Sequence, residues 1–303
     1  MIQRRNFIKN AILATGALSL PLSGNEIFAN SAVATSFAAN NFKKSIMWNT
    51  VNIQGSVLEK CKAVKEAGFQ GVELMSHMDR KEVLDATKAT GLAITDVCCS
   101  THGNKPMSHP DAAVRQEGFE GVVVALEDAK EYGTDAILLV PGRVNETVSY
   151  DECWERSVEG VKKLIPIAER LKVMICVENV WNNFLLSPLE ACRYVDQFNS
   201  PFVKFYFDCG NILAYGWPEQ WIRILGERIA RIHIKEYSKQ IADKQGRSAG
   251  FRAPLTEGDV DWPKVMQALR NSYNHVWLAT EMGVRTLEDM KDLSGRLDKI
   301  LSM

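Results

Sequence analysis

Eight short apolar runs, each followed by a longer amphipathic stretch, predict an α/β fold of the closed (β/α)8, or TIM, barrel type. Two further observations favour it. No break in composition interrupts the alternation across residues 41–303, and no G-x-G-x-x-G follows the first strand, which disfavours a doubly wound open sheet. A chain of 303 residues accommodates one such barrel with a small extension.

The extension comes first. Gln3-Arg4-Arg5-Asn6-Phe7-Ile8-Lys9 leads into a mildly apolar run from Ala11 to Leu22 and then into the small-residue stretch Ala29-Asn30-Ser31-Ala32-Val33-Ala34. Charge, apolar run and A-x-A sites in that order resemble a bacterial twin-arginine export signal. Residues 1–40 are therefore read as a signal peptide and linker, residues 41–303 as the barrel, and the location as periplasmic.

The strands are expected at 45–48, 71–74, 93–99, 136–140, 174–177, 203–207, 229–234 and 276–280. Each is short and rich in Val, Ile, Leu or Phe, as strands buried on both faces are. Helical patterns lie between them. Residues 56–67 place Val57, Leu58, Cys61, Val64 and Ala67 on one stripe. Residues 150–171 and 261–271 read similarly, Pro263 suiting the first turn of the latter. Gly68, Gly91 and Gly133 follow three helices where a left-handed residue ends the turn. The longest expected irregular stretch is 237–258, between the seventh strand and its helix; a loop of that length is usually functional.

Composition removes several function classes. With 46% hydrophobic and 24% charged residues the chain is globular. The 36 Lys+Arg against 37 Asp+Glu leave no basic field for nucleic acid. No run of 18 apolar residues offers a membrane span. Seven cysteines without a C-x-x-C pair fit neither a zinc ribbon nor a disulfide framework.

Parallel barrels carry their chemistry at the C-terminal ends of the strands. Strands five to eight end in Glu178, Asp208, His233 and Glu281. Each alone reads equally well as a salt-bridged carboxylate or a packed histidine. Together, three carboxylates crowding one side of the mouth would repel one another, and a divalent cation resolves the conflict. Three carboxylates and an imidazole make a mixed O/N shell suited to Mn2+ or Mg2+, with Zn2+, Co2+ or Fe2+ as alternatives.

The segments Val177-Glu178-Asn179, Asp208-Cys209-Gly210-Asn211, His233-Ile234-Lys235-Glu236 and Arg252-Ala253-Pro254-Leu255-Thr256-Glu257-Gly258-Asp259-Val260-Asp261 resemble those of the xylose-isomerase-like TIM barrels, in particular the sugar-phosphate isomerase/epimerase group. L-ribulose/L-xylulose 5-phosphate 3-epimerases, ketose 3-epimerases and hydroxypyruvate isomerases are the most similar members. Gly68-Phe69-Gln70-Gly71-Val72-Glu73-Leu74 is similar to the family's second-strand signature. The resemblance spans about residues 45–300. It implies one divalent metal on Glu178, Asp208, His233 and Glu281, with Glu178 and Glu281 doubling as the acid/base pair, and a homo-oligomer. Many members have Asp-x-x-His where this chain has Asp208-Cys209-Gly210-Asn211. That departure, with the near-neutral charge, argues against the trinuclear zinc site of the related apurinic-site endonucleases; some pentulose-phosphate epimerases carry a similar Asp-x-Gly-Asn.

The same resemblance places Arg252 near substrate oxygens. His102, past strand three, is a candidate donor to a substrate hydroxyl, and Glu73, after strand two, is a candidate to orient a ligand. Trp48, Trp181 and Trp217 near strand ends are candidate apolar walls for a sugar face. His77 and Arg143 also lie at strand ends; Lys235 and Glu236 read as orienting the site or bridging loops; His109 and His275 read as surface or structural.

The leading function is a metal-dependent sugar epimerase or isomerase. Removing a proton next to a ketone gives an enediolate, which a metal stabilises; a carboxylate on the opposite face returns the proton and inverts the carbon. A lyase or hydratase acting on 3-keto-glycosides would use the same parts. A non-catalytic sugar-binding barrel is the third class.

Overall fold

The computed structural model describes residues 42–273 and 275–303. The expected export segment at 1–40 lies outside the described residues. Strands β1 (Lys43–Met47), β2 (Gly71–Met75), β3 (Ala93–Cys98), β4 (Ala136–Leu139), β5 (Met174–Glu178), β6 (Val203–Asp208), β7 (Ile229–Ile234) and β8 (Trp277–Thr280) pair in sequence order. All are parallel, and β8 returns to β1 in the register Lys43↔Trp277 to Ile46↔Thr280, closing the barrel. The strand bounds lie within two residues of the expected apolar runs.

Helices α1 (Val57–Glu66), α2 (Arg80–Thr90), α3 (Ala112–Glu131), α4 (Tyr150–Leu171), α5 (Pro188–Asp196), α6 (Cys209–Leu213), α7 (Pro218–Leu225), α8 (Lys239–Gln245), α9 (Trp262–Ser272) and α10 (Leu287–Leu301) lie between and after the strands. Their starts are set locally: Ser56 and Glu59 form a capping box at α1, worth about 1 kcal/mol. Their ends are too, Gly68 and Gly133 taking φ of 94° and 74° just beyond α1 and α3. One expectation needs correction. The stretch 237–258 is not irregular throughout, since it holds α8, capped by Ser238, and the 3-10 segment Arg247–Arg252. Seven residues give too few turns for helical periodicity to stand out in sequence.

Alternation along the strands sorts side chains by face. Val72, Leu74, Phe205, Phe207, Ile232 and Ile234 pack outward in the core shared with the helices. Met47, Cys98, Leu138, Cys176 and Tyr206 fill the barrel. Charge also runs through that interior. Low on β7, Arg231 lies 3.9 Å from Asp96 and donates to Asp135. His233 and then Lys235 follow at two-residue steps, so the same face of the chain rises into the mouth.

Candidate active site

Glu178, Asp208 and His233 are inward-facing residues at or near the C-terminal ends of β5, β6 and β7, and Glu281 follows β8 directly. One donor atom from each lies within 4.8 Å of every other. His233 stands at the centre. Its Nδ1 is 3.0 Å from Glu178 Oε1, 3.5 Å from Glu281 Oε2 and 4.0 Å from Asp208 Oδ2. Its Nε2 points the other way, 2.6 Å from Glu73 Oε2. Four residues predicted to converge do so.

Burial dominates the electrostatics. It pushes the carboxyls of Glu178 and Asp208 above their usual range, and Glu73 to about 7. Burial also disfavours charge on His233, but Glu73 and Glu178 outweigh it and hold the imidazole well above its usual value. Against the same burial, Lys235 and His233 keep Glu281 down at about 2. Asp208 Oδ2 is buried without a hydrogen-bond partner, a costly state for a carboxylate oxygen. Three carboxylates, one imidazole and an orphaned oxygen fit a hard or borderline divalent cation.

The surroundings hold these groups in place. Asp208 Oδ1 accepts from Asn211 N–H at 2.7 Å, capping α6. Asn179 donates to Asp208 O at 2.9 Å and accepts from Asp208 N–H at 3.0 Å, while Asn211 donates to Asn179 O at 2.9 Å. Both asparagines stand inside motifs quoted above, yet nothing in the sequence alone marks them as braces. Lys235 donates to Glu281 Oε2 at 2.7 Å, lies 3.7 Å from Asp208 Oδ2 and sits over the Phe251 ring. It is an internal counter-charge. Glu236 bridges the loop, accepting from Thr256 N, Val260 N and Trp262 Nε1 at 2.9, 3.2 and 2.8 Å.

The remaining candidates divide. His102 accepts from Val140 N–H through Nδ1 at 3.3 Å, which leaves the proton of a neutral ring on Nε2. Burial lowers this histidine to about 4, and the charges of Glu281 and Arg143 act on it, placing it near the site. Trp181 donates to Asn211 O at 2.8 Å and packs with Tyr237 and Phe251 as a partly buried wall. Trp48 is partly buried after β1 with Lys60 over its ring. Trp217 is 58% exposed at the start of α7. Arg252 donates to Gln245 rather than to the side chains of Glu178, Asp208, His233 or Glu281, and lines a cavity of about 720 Å3 with Phe251 and Met282. Glu73 is a clearer departure. Its side chain is wholly buried beneath His233, so a substrate cannot reach it. Alternation on β2 places it deep in the barrel rather than at the strand's end. His77 bonds Ser76 and Ser100, Arg143 is exposed, His109 accepts from Asp111 N–H, and His275 lies by Arg231. Among the described residues no helix is long and apolar enough to cross a membrane.

The L-ribulose-5-phosphate 3-epimerase UlaE of Escherichia coli O1:K1 / APEC is 26% identical over 246 residues, 77% of this chain and 84% of its own. Among solved structures, 3-keto-D-glucoside 4-epimerase YcjR from E. coli superposes with a TM-score of 0.74 at 18% identity, covering 86% of this chain and all of that one. A D-psicose 3-epimerase solved in the presence of D-fructose gives 0.70 at 18% identity, with 85% and 97% covered. These relatives are isomerases, the enzyme class that the strand-end residues led to. The family model described as xylose isomerase-like TIM barrel matches residues 61–299, and the chain belongs to that family.

Proposed function

We propose that the chain is a divalent-metal-dependent epimerase of a ketose or keto-sugar, moving a proton at the carbon next to a carbonyl. The convergence of Glu178, Asp208, His233 and Glu281 within 4.8 Å carries this reading. A cation bound there would act as a Lewis acid on the carbonyl oxygen. The protein supplies the rest. β5 and β8 stand three strands apart around the barrel, so Glu178 and Glu281 reach a substrate at the mouth from different sides. One carboxylate removes the proton and the other returns it to the opposite face. His102, with Nδ1 engaged, presents a neutral N–H to a substrate hydroxyl, and Trp181 offers an apolar face.

Export by the twin-arginine route is part of the proposal. Phosphorylated sugars are mainly cytoplasmic, so an exported enzyme takes an unphosphorylated ketose or an oxidised glycoside. The test is solvent-deuterium exchange by purified protein with Mn2+ over a panel of ketoses and 3-keto-glycosides. A deuterated stereoisomer is the expected product. A released aglycone would make the enzyme a lyase, and tight binding without exchange would make it a binding protein. Fractionation of cells carrying Arg4→Lys and Arg5→Lys, which should strand the protein in the cytoplasm, tests the export route.

A further inference from the structure

The two ring nitrogens of His233 meet different carboxylates, and only Nδ1 faces Glu178, Asp208 and Glu281. The other, Nε2, lies 2.6 Å from Glu73 Oε2 in a contact with no exposed surface on either side chain. A cation held at Nδ1 would leave the ring's one proton on Nε2, where Glu73 Oε2 stands to accept it. Glu73 is held in turn. Tyr206 donates to the same Oε2 at 3.2 Å, and its ring lies 4.5 Å from the imidazole centroid.

A carboxylate at this depth is expensive. Glu73 Oε1 has no hydrogen-bond partner, and the register neighbours of Glu73 are the apolar Met47 on β1 and a second buried carboxylate, Asp96, on β3, whose charge raises the cost further. An apolar side chain would fit the barrel at lower cost. Packing therefore gives no reason for Glu73, whereas its contact with His233 does.

We propose that Glu73, seated by Tyr206, is the positioning residue that fixes the tautomer and ring plane of His233 for metal binding. The inference rests on the metal reading above. Carboxylates placed behind a ligating histidine typically govern metal affinity by about 10–100-fold. Glu73→Leu would leave the imidazole free to take either tautomer.

The experiment uses the full chain, with Mn2+ binding followed by electron paramagnetic resonance and Co2+ by its visible spectrum. Wild type should bind one Mn2+, and Glu73→Gln and Glu73→Leu should bind it about 10–100-fold more weakly, with an altered Co2+ spectrum. Tyr206→Phe, which keeps the carboxylate, should lose only a few-fold. Equal Mn2+ affinity and an unchanged Co2+ spectrum in Glu73→Gln would overturn the proposal while leaving the metal site standing. Failure of wild type to bind Mn2+ would overturn the metal reading itself. Should the Glu73 variants not fold, 15N spectra of the wild-type histidines with Mg2+ decide the matter: a proton on Nε2 of His233 is expected, and one on Nδ1 would refute it.

Discussion

Lys235→Met is the perturbation whose outcome the geometry fixes most tightly. The ammonium lies 2.7 Å from Glu281 Oε2 and 3.7 Å from Asp208 Oδ2, with 16% of its side chain exposed. At an effective dielectric constant of about 20 the contact with Glu281, the carboxylate held ionised, is worth about 6 kcal/mol before desolvation. Desolvating the ammonium returns several kcal/mol of that, and removing one partner of a buried pair typically costs about 3–5 kcal/mol net. In chelator-treated protein, Lys235→Met should therefore lower the melting temperature by roughly 6–20 °C. A bound divalent cation gives the same carboxylates another partner, so the loss should shrink with saturating Mn2+. Lys235 and the cation also repel each other, so the variant should bind Mn2+ more tightly than wild type. Calorimetry with and without Mn2+, together with Mn2+ titration, reads all three effects. An equal loss of stability in both conditions, with unchanged Mn2+ affinity, would show that Lys235 is not the counter-charge of this site.

Three other outcomes follow from the same geometry. Glu178→Gln and Glu281→Gln, assayed at saturating metal, should each lower turnover by about 10^2–10^4 while the melting temperature stays within a few degrees; a loss below tenfold in either would remove that residue from the acid/base pair. The fold disfavours charge on His102, so its contribution to stability is complete above pH 6.5 and is lost as pH falls from 6.5 toward 4. Comparing unfolding of wild type and His102→Gln over that window should show a difference in slope totalling at most about 3 kcal/mol, and parallel curves would contradict it. A Cβ at Gly258 would come within 2.4 Å of Glu236 Oε1 and 2.5 Å of Tyr237 O, so Gly258→Ala should cost about 1–3 kcal/mol and raise KM by displacing the loop, with Mn2+ affinity unchanged.

Much of this molecule is legible in its sequence because two periodicities coincide with two physical constraints. Strands buried on both faces are mostly apolar, so Val203-Lys204-Phe205-Tyr206-Phe207 announces β6 even with a lysine in it. The residue that ends such a run stands at the barrel mouth, so Glu178 and Asp208 could be placed without coordinates. Their neighbours were harder. Asn179 and Asn211 brace the site through main-chain groups that only the fold brings together. Arg252 stands in a motif that resembles the family's, yet here it turns to Gln245 beside the site.

Depth along the barrel axis is the quantity that strand patterns do not encode. Glu73 and Glu178 both interrupt apolar runs, and both face inward, but Glu178 ends its strand whereas Met75 still follows Glu73 in β2. The register Met47↔Glu73 between β1 and β2, and His233↔Ala279 between β7 and β8, decides which inward residues share a level. That register depends on how all eight strands stagger around the closed sheet, a property of the assembled barrel rather than of any one segment. A one-residue difference in stagger would have carried Glu73 away from Nε2 of His233 and turned its side chain toward the helices. The placement of a carboxylate beneath the histidine is therefore a product of barrel closure. On the proposed reading it links the barrel's interior to the mouth, and substitutions at Glu73 in β2 should alter Mn2+ affinity without touching Glu178, Asp208, His233 or Glu281.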